Sequence, residues 1–547
     1  MTTPVLSAQR PTISRRWLPW LAAGGYILAL TLAFPPFKQG WAVLIFLTPF
    51  VKWAFAEPRW RTYLAAALGA GWGSWFCILI WLRHIYPPYG WLGLALLSGY
   101  LGLYALAWLA ALRWAAPRLK GASRGRRVMG MLALAGWWIV LDWVRGTLFT
   151  GFPWLPLAAA FWEFPLLLQL AAWTGQSGVT FMIVLFNLGL VCGTGAEPRA
   201  GIAPPPRRKI WWPARCGPEM LLPLALFFGA VLLSLQLLSS HRRAEVRLLR
   251  AGIVQPATPA LLKWDPAAAD KNRDTLLALT QTFTYRDGSR NNVDLVLWPE
   301  AALPVLFQGA GAGPNREALG QIVNKLGVPL LLGGIGEAYP RPGQPETPGQ
   351  FDGVFLVRPG AGFATEVYAK RHLVPFGEYV PLRRWLTFTG KLTADIGDFT
   401  PGTQYAVGHL PGGGAFAVFI CYEAVFPEVA RRFTANGAAL LINVSNDGWF
   451  GRSAAPAQHL MMARVRAVEN RRWLLRDTNN GFTVSIDPYG RTAAEMPTDI
   501  RGELDAPYDF RTDLTPYTRL GDWLAWLCVL VSVVLLAAAF TKKSAGL

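Results

Sequence analysis

The sequence is short of several residue types that would point to a particular chemistry. Its 547 residues include only five cysteines and five histidines. These are not clustered at the spacings that are typical of a metal site. No GxGxxG follows a strand pattern and no GxxxxGK[ST] occurs, which argues against dinucleotide and P-loop nucleotide binding. Acidic residues are also scarce, with 33 Asp and Glu against 52 Lys and Arg. A positive excess of this size indicates either a nucleic-acid binder or a membrane protein.

Hydrophobic residues decide between these two classes. They make up 53% of the chain, which also holds 26 tryptophans. A membrane-spanning helix needs about 20 apolar residues. Eight segments approach this, the second being short enough for a tilted or re-entrant piece: 17–34, 41–56, 62–82, 90–112, 128–147, 165–194, 218–238 and 522–541. The first follows three arginines but ends in no signal-peptide cleavage site, so we expect a retained anchor.

The distribution of Lys and Arg predicts the orientation in the membrane. With the N-terminus in the cytoplasm, eighteen of them fall in the short inner connections and three in the outer ones. Positive residues favour the cytoplasmic side. The basic excess is therefore an orientation signal, and nucleic acid is not expected as a partner. We predict helices 1–7 in 1–239, an extracytoplasmic domain in 240–515, and helix 8 with a cytoplasmic tail in 516–547.

The outer block alternates short apolar strand patterns with helical ones. This predicts an α/β fold. The strand candidates are 247–255, 293–300, 329–336, 353–357, 366–371, 415–423 and 439–447, and the helix candidates are 266–284, 314–326, 424–436 and 455–474.

One cysteine in this block has no obvious structural use. Cys77, Cys192 and Cys528 lie in membrane segments and Cys216 at the inner edge of another, which leaves Cys421 alone in the outer domain. A disulfide within the domain is excluded. Cys421 is therefore either a small buried apolar residue, the commonest fate of a lone cysteine, or a nucleophile.

Three ionisable residues stand at or near the ends of predicted strands. Glu300 closes "VDLVLWPE", Lys370 lies in "EVYAKRHLVPFGEY", and Cys421 closes "AFAVFICYE". Strand ends are where ligands and catalytic groups collect in α/β folds. A thiol needs a base or a cation to react, so Glu300 is a candidate base and Lys370 a candidate oxyanion stabiliser.

Two alternatives remain at this point. Each of the three residues has a structural reading, since a single Glu, Lys or Cys at a strand end is more often structural than catalytic. A Cys–His arrangement is the rival chemistry, because His372 and His459 lie in the same block.

Four segments of the sequence resemble motifs of the nitrilase superfamily: "LWPE" (297–300), "YAKRHLVPFGEYVP" (368–381), "ICYE" (420–423) and "NVSNDGWFG" (443–451). The resemblance is closer to the membrane-bound branch of that superfamily, the apolipoprotein N-acyltransferases. It continues through 458–483 and through "VQPATPALLKWD" (254–265), and the eight apolar segments fit it too. It implies a polytopic α-helical membrane domain joined to an α/β nitrilase-like domain, a four-layer αββα sandwich.

The resemblance also implies roles for residues. By it, Glu300 is the general base, Lys370 stabilises the oxyanion, and Cys421 is the nucleophile of a Glu–Lys–Cys triad. Glu378 resembles the glutamate that orients the lysine and substrate. Positions that the family needs for activity are matched by Tyr422, Glu423 and Trp264.

The implied reaction is an acyl transfer in two halves. Cys421 takes an acyl chain as a thioester from a phospholipid, typically phosphatidylethanolamine at sn-1. The α-amino group of a diacylglyceryl-cysteine at the start of an apolipoprotein then receives it. The implied location is the inner membrane of a Gram-negative bacterium with the catalytic domain in the periplasm. No metal or cofactor is implied.

Because both substrates carry acyl chains, we expect apolar loops to open the site toward the bilayer. The candidates are Leu306, Phe307, Trp385 and Phe388, with Arg383 and Arg384 toward lipid phosphates. Ordinary surface loops are the other interpretation. Two other functions stay open, a membrane-tethered amidase that hydrolyses small amides and a non-enzymatic transporter or scaffold.

Overall fold

The structure is a computed structural model that describes residues 16–85, 89–193, 217–241, 248–283, 293–306, 313–338, 349–360, 366–379 and 399–544. Apolar helices dominate the first part of the chain. They are α1 Leu18–Ala33, α2 Thr48–Phe55, α3 Trp60–Ile78, α4 Tyr89–Leu119, α5 Arg124–Thr147, α6 Pro165–Leu168, α7 Ala171–Thr174, α8 Gln176–Cys192 and α9 Pro218–His241. We call residues 16–241 the helical half.

Each of the eight apolar segments contains helix, but they differ in length and hydropathy. Three described helices are long and apolar enough to cross a membrane, over Tyr89–Leu119, Arg124–Thr150 and Pro218–Gln236. A fourth is added if Pro165–Thr174 and Gln176–Cys192, bent by 118° at their break, count as one span. The apolar helices Leu18–Ala33, Gly40–Phe55 and Trp523–Val534 are shorter. The structure therefore supports three to four spans directly, and eight remains a prediction.

Small residues bring the helices of this half close together. A Cβ built on Gly71 of α3 would lie 2.7 Å from the carbonyl oxygen of Gly102 in α4. Only glycine allows backbones to approach this closely, and such contacts are a common means of packing apolar helices. Polar bonds add to this packing: the Asn187 side chain of α8 bonds both Leu47 N and Val43 O.

The second part of the chain is α/β and contains two six-stranded sheets. The strands are β1 Leu249–Gln255, β2 Leu295–Leu306, β3 Leu330–Ala338, β4 Gly349–Val357, β5 Glu366–Ala369, β6 Gly408–His409, β7 Ala415–Ile420, β8 Leu440–Ser445, β9 Leu474–Thr478, β10 Thr483–Ile486, β11 Thr492–Met496 and β12 Gly502–Tyr508. The orders are β12-β1-β2-β3-β4-β5 and β11-β10-β9-β8-β7-β6. In each sheet three neighbouring strands are parallel, β1-β2-β3 in one and β7-β8-β9 in the other.

Helices cover the outer faces of both sheets. On the first sheet they are α11 Ala269–Gln281 and α12 Gly313–Leu326, and on the second α13 Pro427–Ala435 and α14 Ala455–Asn470. Two short helices, α10 Ala260–Lys263 and α15 Pro516–Leu520, lie in the same part of the chain, and the last helix, α16 Trp523–Ser544, packs on α5 of the helical half. Leu276 of α11 and Val323 of α12 pack on Val296 and Leu332 of the first sheet. Residues of the opposite faces, such as Leu297 and Ile442, share one core between the sheets. The arrangement is αββα, as the family resemblance implies.

The helix α14 joins the two parts of the molecule. All sixteen of its residues are buried, including six polar or charged ones. The Gln458 side chain accepts hydrogen bonds from Nε1 of Trp81 and of Trp154 and donates to the Ile78 carbonyl. The α/β domain therefore sits on the helical half through this helix, close to the strand ends at which the candidate residues lie.

Candidate active site

Cys421 lies directly after the parallel strand β7, in a left-handed backbone conformation. Its φ is +48°, which is unusual for a residue with a Cβ, and a 3₁₀ turn over Cys421–Val425 follows. Its side chain is 8% exposed, so the thiol is buried. A sharp, strained turn after a buried strand is a common way to present a nucleophile.

Lys370, one residue beyond β5, is wholly buried among carboxylates. Its Nζ lies 2.9 Å from Glu300 Oε1, 2.6 Å from Glu378 Oε1 and 3.4 Å from Asp352 Oδ2. Four ionisable groups thus share one largely buried pocket. Such a cluster is stable only if the charges compensate one another.

Glu300 bridges the two sheets. The structure continues β2 past this residue to Leu306, and Ala301 after it has a φ of +42°. While Glu300 Oε1 binds Lys370, its Oε2 accepts a 2.6 Å hydrogen bond from the backbone N–H of Asn446. The backbone carbonyl of Glu300 accepts a 2.5 Å bond from Nζ of Lys263. Both carboxylate oxygens are therefore held in fixed directions.

The charges of this pocket are unequal. Burial opposes ionisation of Glu300, but the Lys370 ammonium and hydrogen bonds from Asp352 and Lys370 outweigh it, so its pKa is lowered. Burial raises the pKa of Asp352 well above its ordinary value, and the charge of Glu300 adds to this. The pKa of Lys370 is raised, because Glu300, Glu378 and Asp352 together overcome its burial. These shifts favour the carboxylate form of Glu300, the neutral acid form of Asp352 and the ammonium form of Lys370.

The thiol is the neutral partner of this set. Burial raises the pKa of Cys421 and the Glu300 carboxylate raises it further, whereas Lys370 opposes the shift only in part. Cys421 is therefore a protonated thiol at neutral pH. It requires a base at the moment of reaction. The Glu300 carboxylate, whose charge raises the pKa of this thiol, can serve as that base.

Glu423 holds the lysine segment against the cysteine turn. Its buried carboxylate accepts hydrogen bonds from Tyr368 Oη at 2.7 Å and from the backbone N–H of Arg371 and His372 at 2.8 and 3.1 Å. The other oxygen accepts from Ile420 N at 2.8 Å. Segment 368–372, which carries Lys370, is thereby fixed beside the end of β7.

The remaining supporting candidates lie around the same pocket. Besides Lys370, the Glu378 carboxylate accepts from Val374 N at 3.0 Å. The phenol of Tyr422 lies 3.4 Å from the Gly151 carbonyl of the helical half. Trp264 packs on a small cluster with Ala301 and Ile335 behind Glu300.

The predicted bilayer-facing residues are largely beyond what the structure describes. Phe307, Arg383, Arg384, Trp385 and Phe388 lie outside the described residues. Leu306 ends β2, and only its backbone is described.

The histidines do not form the rival Cys–His pair. The His372 ring stacks on Phe426 with centroids 4.4 Å apart and lies near Glu423 and Glu428. His459 is closer to the nucleophile, but its Nε2 is 3.0 Å from the backbone carbonyl oxygen of Cys421.

Two buried residues of the pocket escape the sequence analysis. Asp352 lies in "GQFDGVFLV", inside a strand whose apolar pattern draws attention away from it. Lys263 directly precedes Trp264, and its burial lowers its pKa to about 8. The sequence could have indicated Lys263, because it lies in the segment 254–265 that resembles the family and that contains the candidate Trp264. Nothing in the sequence alone indicates Asp352.

Two sheets between helices, with Glu, Lys and Cys at or near strand ends, define a carbon–nitrogen hydrolase domain, and residues 250–511 match the family model described as carbon–nitrogen hydrolase. Residues 28–189 match the apolipoprotein N-acyltransferase N-terminal domain. The chain is 31% identical to an apolipoprotein N-acyltransferase of Geobacter metallireducens, with 97% of each chain covered. It is 33% identical to one of Pseudomonas syringae, with 95% of this chain and 97% of that one covered. The chain belongs to the apolipoprotein N-acyltransferase family.

One solved structure aligns with about half of the chain. A Saccharomyces cerevisiae member of branch 10 of the nitrilase superfamily aligns at a TM-score of 0.36 and 18% identity, over 48% of this chain and 90% of that one. Family membership makes the protein an acyltransferase of lipoprotein maturation, and it implies an apolipoprotein acceptor and a phospholipid donor. The family is one of bacterial membrane enzymes, with which the apolar helices agree.

Proposed function

We propose that the protein transfers an acyl chain from a phospholipid to the α-amino group of an S-diacylglyceryl-cysteine through a thioester on Cys421. The observation that carries this proposal is the Lys370 ammonium within 2.6–3.4 Å of three carboxylates, beside a buried thiol on a strained turn. It provides a base, an oxyanion partner and a nucleophile. By the family resemblance the donor is phosphatidylethanolamine, attacked at its sn-1 ester.

In the first half-reaction Glu300 takes the thiol proton as Cys421 sulfur attacks the ester carbonyl. The carbonyl oxygen becomes an oxyanion, which the Lys370 ammonium stabilises in a site of low dielectric. Collapse breaks the ester C–O bond, and the leaving lysophospholipid oxygen takes the proton from Glu300. The acyl chain stays on sulfur, and Glu300 is again ionised.

In the second half-reaction the neutral α-amine attacks the thioester carbonyl. Glu300 accepts the proton that the amine loses, and Lys370 again stabilises the oxyanion. The C–S bond then breaks and the departing sulfur regains a proton from Glu300. The product is an amide, and the enzyme returns to its starting protonation.

Support for a membrane site comes from the position of the pocket beside the helical half. Tyr422 contacts Gly151, and α14 is anchored by Trp81 and Trp154. We extend the proposal to eight spans, with both termini in the cytoplasm and 240–515 in the periplasm of a Gram-negative inner membrane. The boundaries 1–239, 240–515 and 516–547 stay predictions of the sequence.

The bilayer-facing loops stay part of the proposal on sequence grounds. Apolar side chains in these segments would lower the cost of moving an acyl chain from the bilayer, at about 0.8 kcal/mol per CH₂. The double substitution Phe307→Ser with Trp385→Ser should lower turnover of bilayer phospholipid. Unchanged turnover would rule these loops out as an entry path.

The acyl-enzyme itself tests the proposal. Purified protein is incubated with phospholipid labelled in its sn-1 chain, quenched in acid, and digested, so that mass spectrometry locates the label. We expect one acyl group on Cys421, cleaved by hydroxylamine, and none in Cys421→Ala. Glu300→Gln should slow its formation by a factor of about 10²–10⁴. Glu317→Gln, an exposed position on α12, is the matched control.

The same experiment separates the other functions. Label that reaches only free fatty acid, at a rate set by water, would favour hydrolysis of the amidase type. No labelling of Cys421 by any acyl donor would favour a non-enzymatic role and would contradict the proposal.

A further inference from the structure

His459 contacts the nucleophile's backbone rather than its thiol. The ring is wholly buried in α14, and its Nε2 lies 3.0 Å from the carbonyl oxygen of Cys421. A nitrogen at this distance from a carbonyl oxygen carries a hydrogen and donates it. This nitrogen is therefore occupied and cannot also accept the proton of the Cys421 thiol.

The other ring nitrogen, Nδ1, contacts a carboxylate and a guanidinium. His459 Nδ1 lies 3.1 Å from Asp447 Oδ1 and 3.1 Å from Nη2 of Arg476, which also binds Asp447 Oδ2 at 2.8 Å. Burial lowers the pKa of His459 and Arg476 adds to this, so the ring is neutral. With its hydrogen on Nε2, the ring accepts from Arg476 through Nδ1. In this tautomer the ring meets an acceptor at Cys421 O and a donor at Arg476, while Asp447 Oδ1 beside Nδ1 accepts from Ser445 and Arg476.

The groups that contact Nδ1 of His459 are hydrogen-bonded in turn to the strands β7, β8 and β9. Asp447 Oδ1 accepts a 2.8 Å bond from Ser445 Oγ at the end of β8. The Arg476 guanidinium of β9 hydrogen-bonds to Asn443 Oδ1, and Asn443 Nδ2 donates to Phe419 O in β7 at 2.9 Å. Three parallel strands and the imidazole therefore form one connected polar network under the turn.

The turn needs such support because of its backbone geometry. A φ of +48° is disfavoured for any residue other than glycine and persists only where the surroundings fix it. Glu423 holds the amide before the turn, at Ile420, and His459 holds the carbonyl of Cys421 itself. Glu423 thus fixes the peptide plane before Ile420. His459 fixes the plane between Cys421 and Tyr422, which flanks the Cys421 Cα and helps to set the direction of its Cα–Cβ bond.

One face of the His459 imidazole packs against the helical half. The Trp154 ring stacks on it at 5.9 Å with an interplanar angle of 25°, and Phe450 meets it edge-on at 6.1 Å. Nε1 of Trp154 donates to Gln458, the residue before His459. Adjacent residues of α14 therefore contact the helical half and the nucleophile turn.

We propose that His459 is a positioning residue for the acyl transfer: its Nε2–H holds the Cys421 carbonyl and thereby aims the thiol, while Trp154 and Gln458 tie that imidazole to the helical half. This inference rests on the proposed function, since it takes Cys421 as the nucleophile. It goes beyond the Glu–Lys–Cys set, in which no histidine takes part.

Substitutions at this position separate a hydrogen-bond donor from a space-filling ring. Gln places its amide nitrogen near the site of imidazole Nε2, whereas the Asn amide is too short to reach Cys421 O, and Leu offers no donor. We expect His459→Leu and His459→Asn to slow single-turnover acylation of Cys421 by about 10²-fold. His459→Gln should restore the rate to within about tenfold of the native enzyme. Met461→Leu, a buried change on the same helix, is the matched control.

A lipid-free readout distinguishes this inference from the proposed function. The rate at which iodoacetamide alkylates Cys421, followed on its peptide by mass spectrometry, should follow the same order as acylation at equal folded fraction. Equal losses in the Gln, Asn and Leu variants would reduce His459 to a structural residue and overturn the inference. If His459→Leu does not fold, the Gln and Asn variants still decide. Failure of the native enzyme to acylate Cys421 would instead contradict the proposed function and leave the alkylation order to judge His459.

Discussion

Lys370 determines the protonation of the residues around it. Its ammonium ion is wholly buried and contacts Glu300, Glu378 and Asp352, three groups that would otherwise repel one another. Burial and the charge of Glu300 raise the pKa of Asp352. Burial opposes ionisation of Glu300, but Lys370 and the hydrogen bonds that Glu300 accepts lower its pKa. This division of charge makes Glu300 a base and leaves Asp352 as a neutral donor beside it.

The reactivity of the thiol should depend on pH as a buried thiol's does. Burial and Glu300 raise the pKa of Cys421, and alkylation follows the thiolate. We expect the alkylation rate of Cys421 to rise from about pH 7 to about pH 9.5 without a plateau. In Glu300→Gln the negative charge is gone, so the curve should move to lower pH. A plateau below about pH 8 in the native enzyme, or a shift of the variant to higher pH, would contradict this electrostatic assignment.

Asp352 should lower stability at neutral pH. Its folded-state pKa is raised, so the stability that its proton contributes is present at acidic pH and is lost as pH rises above the unfolded value of about 3.9. Asp352→Asn does not titrate and keeps the shape. The melting temperature of the variant should therefore exceed that of the native enzyme by a margin that grows between about pH 5 and 8, to roughly 2 °C or more.

Thermal melting in detergent at a series of pH values measures this margin. Asp274→Asn, on an exposed face of α11, serves as the control and should show no pH-dependent margin. A margin for Asp352→Asn that does not grow with rising pH would mean that this carboxyl is ionised in the folded protein.

At the scale of elements, one carboxylate joins two of them. Glu423 accepts from three backbone N–H groups and from Tyr368, which fixes segment 368–372 to the end of β7. Hydrogen bonds to a charged group contribute about 1.5–3 kcal/mol each, and a neutral amide of the same shape loses part of that at every bond. We expect Glu423→Gln to lower the melting temperature by roughly 5–10 °C.

The same variant should lower acylation of Cys421 more than its stability explains, because Lys370 moves with that segment. The measurement is the single-turnover rate at a temperature where both proteins are fully folded. Glu428→Gln, a half-exposed carboxylate on the neighbouring helix α13, is the control. Native acylation in a destabilised Glu423→Gln would show that the segment does not depend on this carboxylate.

Sequence patterns predict some elements well and others poorly for physical reasons. The apolar runs that become β1 to β5, β7 and β8 are predicted, because strands buried on both faces read as continuous Val, Ile and Leu. The strand β9 is missed, because Arg476 and Asp477 stand in its centre although both are wholly buried. The predicted helix 455–474 ends earlier, at Asn470, since Arg471 adopts a left-handed φ of +51° that stops it.

The candidate site follows the same rule. Glu300 and Lys370 meet because β2 and β5 run in the same direction within the first sheet, and Cys421 follows β7 of the second sheet, so the pocket forms between the two sheets. Asp352 enters the pocket from the middle of β4 and Lys263 from the short helix α10. Their spacing in the sequence does not predict that they lie close to Glu300 and Lys370. The role of His459 toward the Cys421 carbonyl also depends on tertiary contacts alone.

At the scale of the whole molecule, the helical half and the α/β domain share α14 as an interface. The proposed orientation places position 452 outside the cytoplasm and position 120 inside it. In a Cys77→Ser background, Arg452→Cys should react with a membrane-impermeant maleimide in spheroplasts, because the Arg452 side chain is 90% exposed. Lys120→Cys should react only after permeabilisation. Labelling of position 120 in intact spheroplasts, with 452 protected, would reverse the orientation.

The most direct test of acyl transfer is a chase of the isolated acyl-enzyme. Protein labelled on Cys421 is freed of phospholipid and mixed with a diacylglyceryl lipopeptide that has either a free or an acetylated α-amine. The predicted result is a stoichiometric transfer of label from Cys421 to the free amine, with no acceleration by the acetylated peptide. Release of the label as fatty acid at one rate with both peptides would contradict an acyltransferase that works through this thioester.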